Sequence, residues 1–210
     1  MNFKYYKPSP LIITILILAG LIEACVSKWI HPFLSEYLPL GSHFRVPTTV
    51  SLLGVFFILY DNWLWNIPVL KLLMAVPDMR GRYEGKIIYE RDGNFSEKNC
   101  FIEITQTASK IKVHTYFSNG MNENTSSKSL IEEIKEEDDG FFDIYLFYMN
   151  SGTKRTGVLD YHEGANKLRF IPGLNGMGNK LTGHYFTNRQ SQTRGEIEGT
   201  LISKTLQGKF

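Results

Sequence analysis

Leu181-Thr-Gly-His-Tyr-Phe-Thr-Asn-Arg189 is the stretch that decides the fold of this chain. Side chains along a strand alternate with a period of two, so Leu181, Gly183, Tyr185, Thr187 and Arg189 share one face. That face opens apolar, passes through an aromatic ring and a hydroxyl, and ends on a cation. A filled β-core does not finish on an arginine, and a solvent face does not carry Leu181 and Tyr185. The gradient predicts a strand running from the floor of a cavity to its mouth, with groups suited to an aromatic, anionic guest. Beyond a polar turn, Gly195-Glu-Ile-Glu-Gly-Thr-Leu-Ile202 alternates again, so the two segments read as a hairpin.

The same texture extends back to Met79. Alternating runs fall at Arg80–Tyr89, Cys100–Thr107, Lys110–Phe117, Ser129–Ile134, Phe141–Met149, Arg155–Tyr161, Lys167–Ile171, Leu181–Thr187 and Glu196–Ser203. Ile111, Val113, Thr115 and Phe117 face one way, against Lys110, Lys112, His114 and Tyr116. Asn119 to Ser127 reads as a polar loop, and the acidic run Glu136–Asp139 as a solvated turn. Helical periodicity is absent after residue 80. These features predict an antiparallel closed barrel of around eight strands, whose interior holds one small ligand; a sandwich is the weaker alternative.

Upstream the chain is apolar. Pro8 to Val26 carries one charge, Glu23, and spans roughly 28 Å as a helix. Its length, and the second apolar segment that follows, favour a retained span over a cleaved signal peptide. After a connection holding Trp29, Pro32, Tyr37 and Pro39, Val46 to Leu70 reads as a second span with Trp63 and Trp65 at its exit. The expected organisation is therefore a two-helix transmembrane region over residues 1–76 and a β-barrel over 77–210. Lys4, Lys7, Lys71, Arg80 and Arg82 outweigh Lys28 and Arg45 in the connection, which places both termini in the cytoplasm. Glu23 reads as a residue near a helix end reaching towards the interface. Ala19, Gly20, Ala24 and Ser27, with Gly54, form small faces that suit either self-association or pairing of the two helices.

Composition excludes several classes. Lys and Arg number 23 against 21 Asp and Glu, so a long nucleic acid held by counterion release is not expected. A small dianion needs only one or two placed cations. The two cysteines, Cys25 and Cys100, lie in different regions and form no metal spacing. His162-Glu163 lacks the second histidine of a helical zinc motif, and no Gly-x-Ser-x-Gly follows a strand. Gly173, Gly176 and Gly178 precede no helix and read as a hairpin tip. What remains is a binding site. Tyr83 and Tyr185 are aromatic candidates for stacking, and Arg189 and Arg194 bracket one turn with forks that match phosphate oxygens.

Two amino-terminal membrane helices, Arg-Gly-Arg-Tyr-Glu-Gly at 80–85, and Leu181 to Arg189 followed by Arg-Gly-Glu-Ile at 194–197 resemble a bacterial antiphage effector family. This is the CBASS effector with two transmembrane helices and a minimal β-barrel receptor for cyclic nucleotides, an analogue of STING. The resemblance implies a membrane-anchored, eight-stranded, lipocalin-like barrel and a non-enzymatic role without a cofactor. It implies a cyclic dinucleotide ligand made after phage infection by a partner nucleotidyltransferase that need not touch the effector. It further implies self-association into oligomers and disruption of the bacterial inner membrane, ending in abortive infection. Carried over, the aromatic of the opening strand falls on Tyr83, the late Tyr-x-Thr-x-Arg pattern on Tyr185, Thr187 and Arg189, and a looser match on Thr115. A membrane-anchored carrier of a hydrophobic ligand, with a wholly apolar lumen, and a scaffold whose barrel is filled by side chains stay open beside it.

Overall fold

A computed structural model describes residues 2–30, 32–33, 36, 49–91, 93–118, 124–150, 162–173, 177–188 and 192–210. The alternating part of the chain forms eight strands: β1 Gly81–Arg91, β2 Asn94–Gln106, β3 Ile111–Ser118, β4 Asn124–Glu136, β5 Phe142–Asn150, β6 His162–Ile171, β7 Lys180–Asn188 and β8 Arg194–Ser203. Each pairs antiparallel with the next, and β8 returns to pair with β1. Closure removes the unpaired edges that an open sheet would present. The run expected at Arg155–Tyr161 lies outside the described residues.

Three strands begin earlier than the sequence reading has them: β2 at Asn94, β4 at Asn124 and β6 at His162. The supposed loop Asn119–Ser127 already contains the start of β4, where Thr125, Ser126 and Ser127 pair with Phe117, Tyr116 and Thr115. A run of hydroxyls looks like loop by composition, yet it makes ladder bonds as well as any other sequence. β4 also bulges between Ser129 and Ile131, which interrupts the alternation there. The β3–β4 ladder stops at His114 and Lys128, and the Ser129 hydroxyl accepts the Val113 N–H at 2.9 Å in its place.

The inward faces divide the barrel into two halves. Met79, Tyr83, Ile102, Ile104, Ile144, Leu168, Phe170 and Leu181 are all at most 1% exposed and fill one half. Two directly opposed inward glycines, Gly85 and Gly199, let β1 and β8 close around this filling. A Cβ on Gly85 would run into the Glu198 carbonyl.

The apolar region has its own organisation. The chain falls into two compact units, Met1–Pro77 with Thr107–Ser109, and Asp78–Gln106 with Lys110–Phe210. In the first, α1 spans Pro8–Cys25 and continues through one π-helical turn to Ile30. Together these make 23 residues, the one helix among the described residues that is long and apolar enough to cross a membrane. α1 buries none of its side chains and exposes Ile12, Ile13, Leu16, Ile17 and Leu21. The second expected span is not one long helix. α2 covers Thr49–Asn62, 14 residues or roughly 21 Å, and two short 3₁₀ turns follow at Leu64–Asn66 and Leu70–Leu73. The chain on either side of the pair is joined: Lys7 N–H donates to Leu73 O at 2.9 Å, and Ala75 N–H to Tyr5 O at 2.8 Å. Glu23 accepts a 2.8 Å bond from Thr49 Oγ1, so the carboxylate ties the far end of α1 to the start of α2.

Candidate ligand site

In an up-and-down barrel alternate strand ends gather together. Here Arg91, Asn94, Ser118, Asn124, Asn150, His162, Asn188 and Arg194 mark one such end. Its inward wall is polar, in contrast to the apolar half. Register puts Ser127 opposite both Thr115 and Asn150, Asn150 opposite His162, and Asn166 opposite both Leu146 and Tyr185. Lys98 lies opposite the inward Ile87, and its ammonium sits 5.6 Å from the centroid of the Tyr89 ring. Along the inward face of β7, Leu181 is fully buried and Tyr185 half-buried, but Thr187 beyond it is buried again, so exposure does not rise steadily along the strand.

The six residues singled out by sequence fall into different places. Thr115 and Tyr185 are on the inner wall beside Ser127 and Asn166 respectively. Tyr83 is inward but belongs to the filled half: it is completely buried, and its hydroxyl donates to the Met79 carbonyl at 2.7 Å. Burial also pushes the Tyr83 phenol pKa up. Thr187 is inward and 2% exposed, yet its hydroxyl accepts the Thr193 N–H at 3.1 Å and meets the Thr193 hydroxyl at 2.9 Å. That side chain holds the β7–β8 hairpin together. Arg189 lies outside the described residues. Arg194 points the other way, to the outer face, where it is 78% exposed and donates two bonds to Glu90 Oε2 at 3.0 and 3.1 Å. Arg194, which brackets the same turn as Arg189 in sequence, is carried outward by the strand pleat, opposite Glu90. Asn166, Lys98, Asn150 and His162 escaped the sequence reading because each falls outside the alternating runs read at Lys167–Ile171, Cys100–Thr107 and Phe141–Met149, whose strands extend further in the fold. Only the pairing partners reveal their inward placement.

A groove of about 500 Å³ on the outer side runs between Lys86, Lys167, Arg169, His184, Glu196 and Glu198. Its cations are already matched: Lys167 and Arg169 both reach Asp143, at 2.8 and 2.9 Å, and Lys86 pairs with Glu97. Burial alone would raise the Asp143 pKa, but bonds from Arg169 and Lys167 bring it below the ordinary carboxylate value. The inward Cys100 thiol is inert, since burial pushes its pKa up to about 12. Among the described residues no three His, Cys, Asp or Glu side chains gather to hold a metal.

The family description "Cap15, cyclic dinucleotide receptor domain" matches residues 74–200, more than half of the chain. The chain belongs to the Cap15 receptor family. No curated protein matches it. The Cap15 match spans all of β1 to β7 and most of β8, so the barrel is a cyclic dinucleotide receptor domain, a ligand-sensing fold. It ends before Leu201. The end of β8 and the following segment lie beyond it, and residues 207–210 of that segment pack on the outer face of the barrel. Glu103, on β2, accepts Arg82 Nη1 at 2.6 Å, the Gln207 N–H at 2.7 Å and the Gly208 N–H at 3.2 Å. Phe210 packs edge-on against Phe101, and the Arg82 guanidinium lies 3.8 Å from the Phe101 centroid. A strap thus covers a buried ion pair on the outer face of β1 and β2.

Proposed function

We propose that this protein is a CBASS effector whose barrel senses a cyclic dinucleotide and whose apolar segment then disrupts the bacterial inner membrane. The receptor family match carries the sensing half of this reading. The effector half rests on α1, which is apolar on every side and buries nothing, so it needs lipid or a partner around it. The bonds that join Tyr5 and Lys7 to Ala75 and Leu73 support α1 and α2 entering the bilayer as a hairpin; the Lys and Arg residues that flank it favour both termini on the cytoplasmic side. α2 would cross as part of this pair, thinning the bilayer or extending its span through the turns that follow. In the barrel, Tyr185 stacks on a base, Thr115 contacts the ligand from the opposite wall, and Arg189 meets a phosphate at the mouth. Tyr83 and Thr187 shape the cavity without touching the ligand. Binding promotes assembly of several copies, which concentrates the apolar segments.

The test is co-expression with a cyclic-dinucleotide-producing nucleotidyltransferase, following dye entry into the cells. Killing is expected for the parent and lost in Leu16→Glu, which puts a carboxylate in the middle of α1 at a cost of a few kcal/mol. Killing that persists in Leu16→Glu would refute membrane disruption. Killing without the nucleotidyltransferase would refute ligand control.

A further inference from the structure

Asn166 carries a buried amide oxygen, Oδ1, that has no hydrogen-bond partner. Its neighbours across the ladder are Leu146 on β5 and Tyr185 on β7, both on the inward face. Two residues further along β6, Leu168 is fully buried in the apolar half. Asn166 therefore stands where the polar wall meets the filled half, at the depth that a guest entering from the polar end would reach last. A buried acceptor left unpaired is destabilising, and a leucine, which has the same branching without polar atoms, would avoid that cost. Tyr185, directly opposite, offers a ring face for stacking beside that acceptor.

We infer that Asn166 is the base-reading residue of the receptor: a nucleobase stacks on Tyr185, and an N–H on that base donates to Asn166 Oδ1. The inference rests on the proposed binding of a cyclic dinucleotide in the lumen. Stacking accepts every base because each has a π face, whereas a buried carboxamide demands a matching edge. Tyr185 thus supplies affinity and Asn166 supplies choice. A base that cannot place a donor at Oδ1 leaves that acceptor unpaired, so it binds at least tenfold more weakly.

The experiment uses the full chain in detergent, titrated with cyclic di-AMP, cyclic di-GMP, cyclic di-UMP and cyclic UMP–AMP. The parent is expected to rank these four ligands with at least tenfold between the best and the worst. Asn166→Leu is expected to lose tenfold or more for the best ligand and to compress the ranking. The same substitution should raise the melting temperature of the ligand-free chain, because the orphan acceptor is gone. Asn166→Ala removes the amide without adding bulk, and it should compress the ranking equally. A ranking unchanged in both variants overturns the role of Asn166 while leaving lumen binding intact. A lower ligand-free melting temperature in Asn166→Leu with the ranking retained also overturns it, since the amide would then be structural. If the parent binds none of the four, the receptor reading of the lumen fails and takes this inference with it.

Discussion

Neutralising Glu103 tests whether the buried pair on the outer face secures the barrel. Glu103 is 4% exposed and Arg82 is 2% exposed, so neither charge has water to fall back on. In Glu103→Gln the shape is kept, but the Arg82 guanidinium loses its counter-charge. The Gln207 and Gly208 N–H groups lose a charged acceptor as well. Removing one partner of a buried pair typically costs about 3–5 kcal/mol. The low end, about 3 kcal/mol, fits here because only a single strap of chain covers the site. For a barrel of this size that corresponds to roughly 10 °C in melting temperature. Replacing both residues, Arg82→Met with Glu103→Leu, should recover most of the loss, because the pair then leaves no stranded charge. Thermal melts of the full chain in detergent, arranged as a double-substitution cycle, give the coupling directly. Burial would raise the Glu103 pKa, but hydrogen bonds from Gln207, Arg82 and Gly208 outweigh it and hold the value below that of a free glutamate. A carboxylate with a depressed folded-state pKa contributes stability above its unfolded pKa of about 4.3, and that stability fades as pH falls through the folded value. The advantage of the parent over Glu103→Gln should therefore be full at pH 7 and shrink below about pH 4. A Glu103→Gln chain that melts within a degree of the parent, or a gap that does not narrow in acid, would refute the reasoning.

Other outcomes follow from the same geometry. Tyr185→Ala should weaken cyclic dinucleotide binding by about tenfold, the value of one lost base stack, as read by calorimetry. Arg194→Ala should leave that binding unchanged and shift stability by less than about 1 kcal/mol, since its partner Glu90 is on the exposed outer face. Arg189→Ala should reduce affinity roughly tenfold or more without lowering the melting temperature, and Arg189→Lys should recover only part of it. Gly85→Ala should lower the melting temperature markedly, because its Cβ would collide with the Glu198 carbonyl where β1 meets β8.

Much of this protein was legible in one dimension, and the reason is periodicity. Strand faces repeat every two residues regardless of neighbours, so Leu181, Gly183, Tyr185 and Thr187 were assigned to one face before any pairing was known, and the ladder agrees. The all-β class and the apolar first helix came from local signals of this kind, while the resemblance to a cyclic dinucleotide receptor family rested on the short motifs at 80–85 and 181–197. Tertiary structure decided what local signals cannot carry. Alternation placed Thr187 and Tyr83 on the inward face, and only the fold shows that their hydroxyls bond Thr193 and Met79. Arg194 brackets the same turn as Arg189 in sequence, and the pleat and Glu90 hold it outside. Asn166 fell just outside the run read at Lys167–Ile171, and only pairing with β5 and β7 carries β6 back through it. Alternation tells which residues share a face. Only the partner strands tell whether that face meets water, a neighbour or an empty bond.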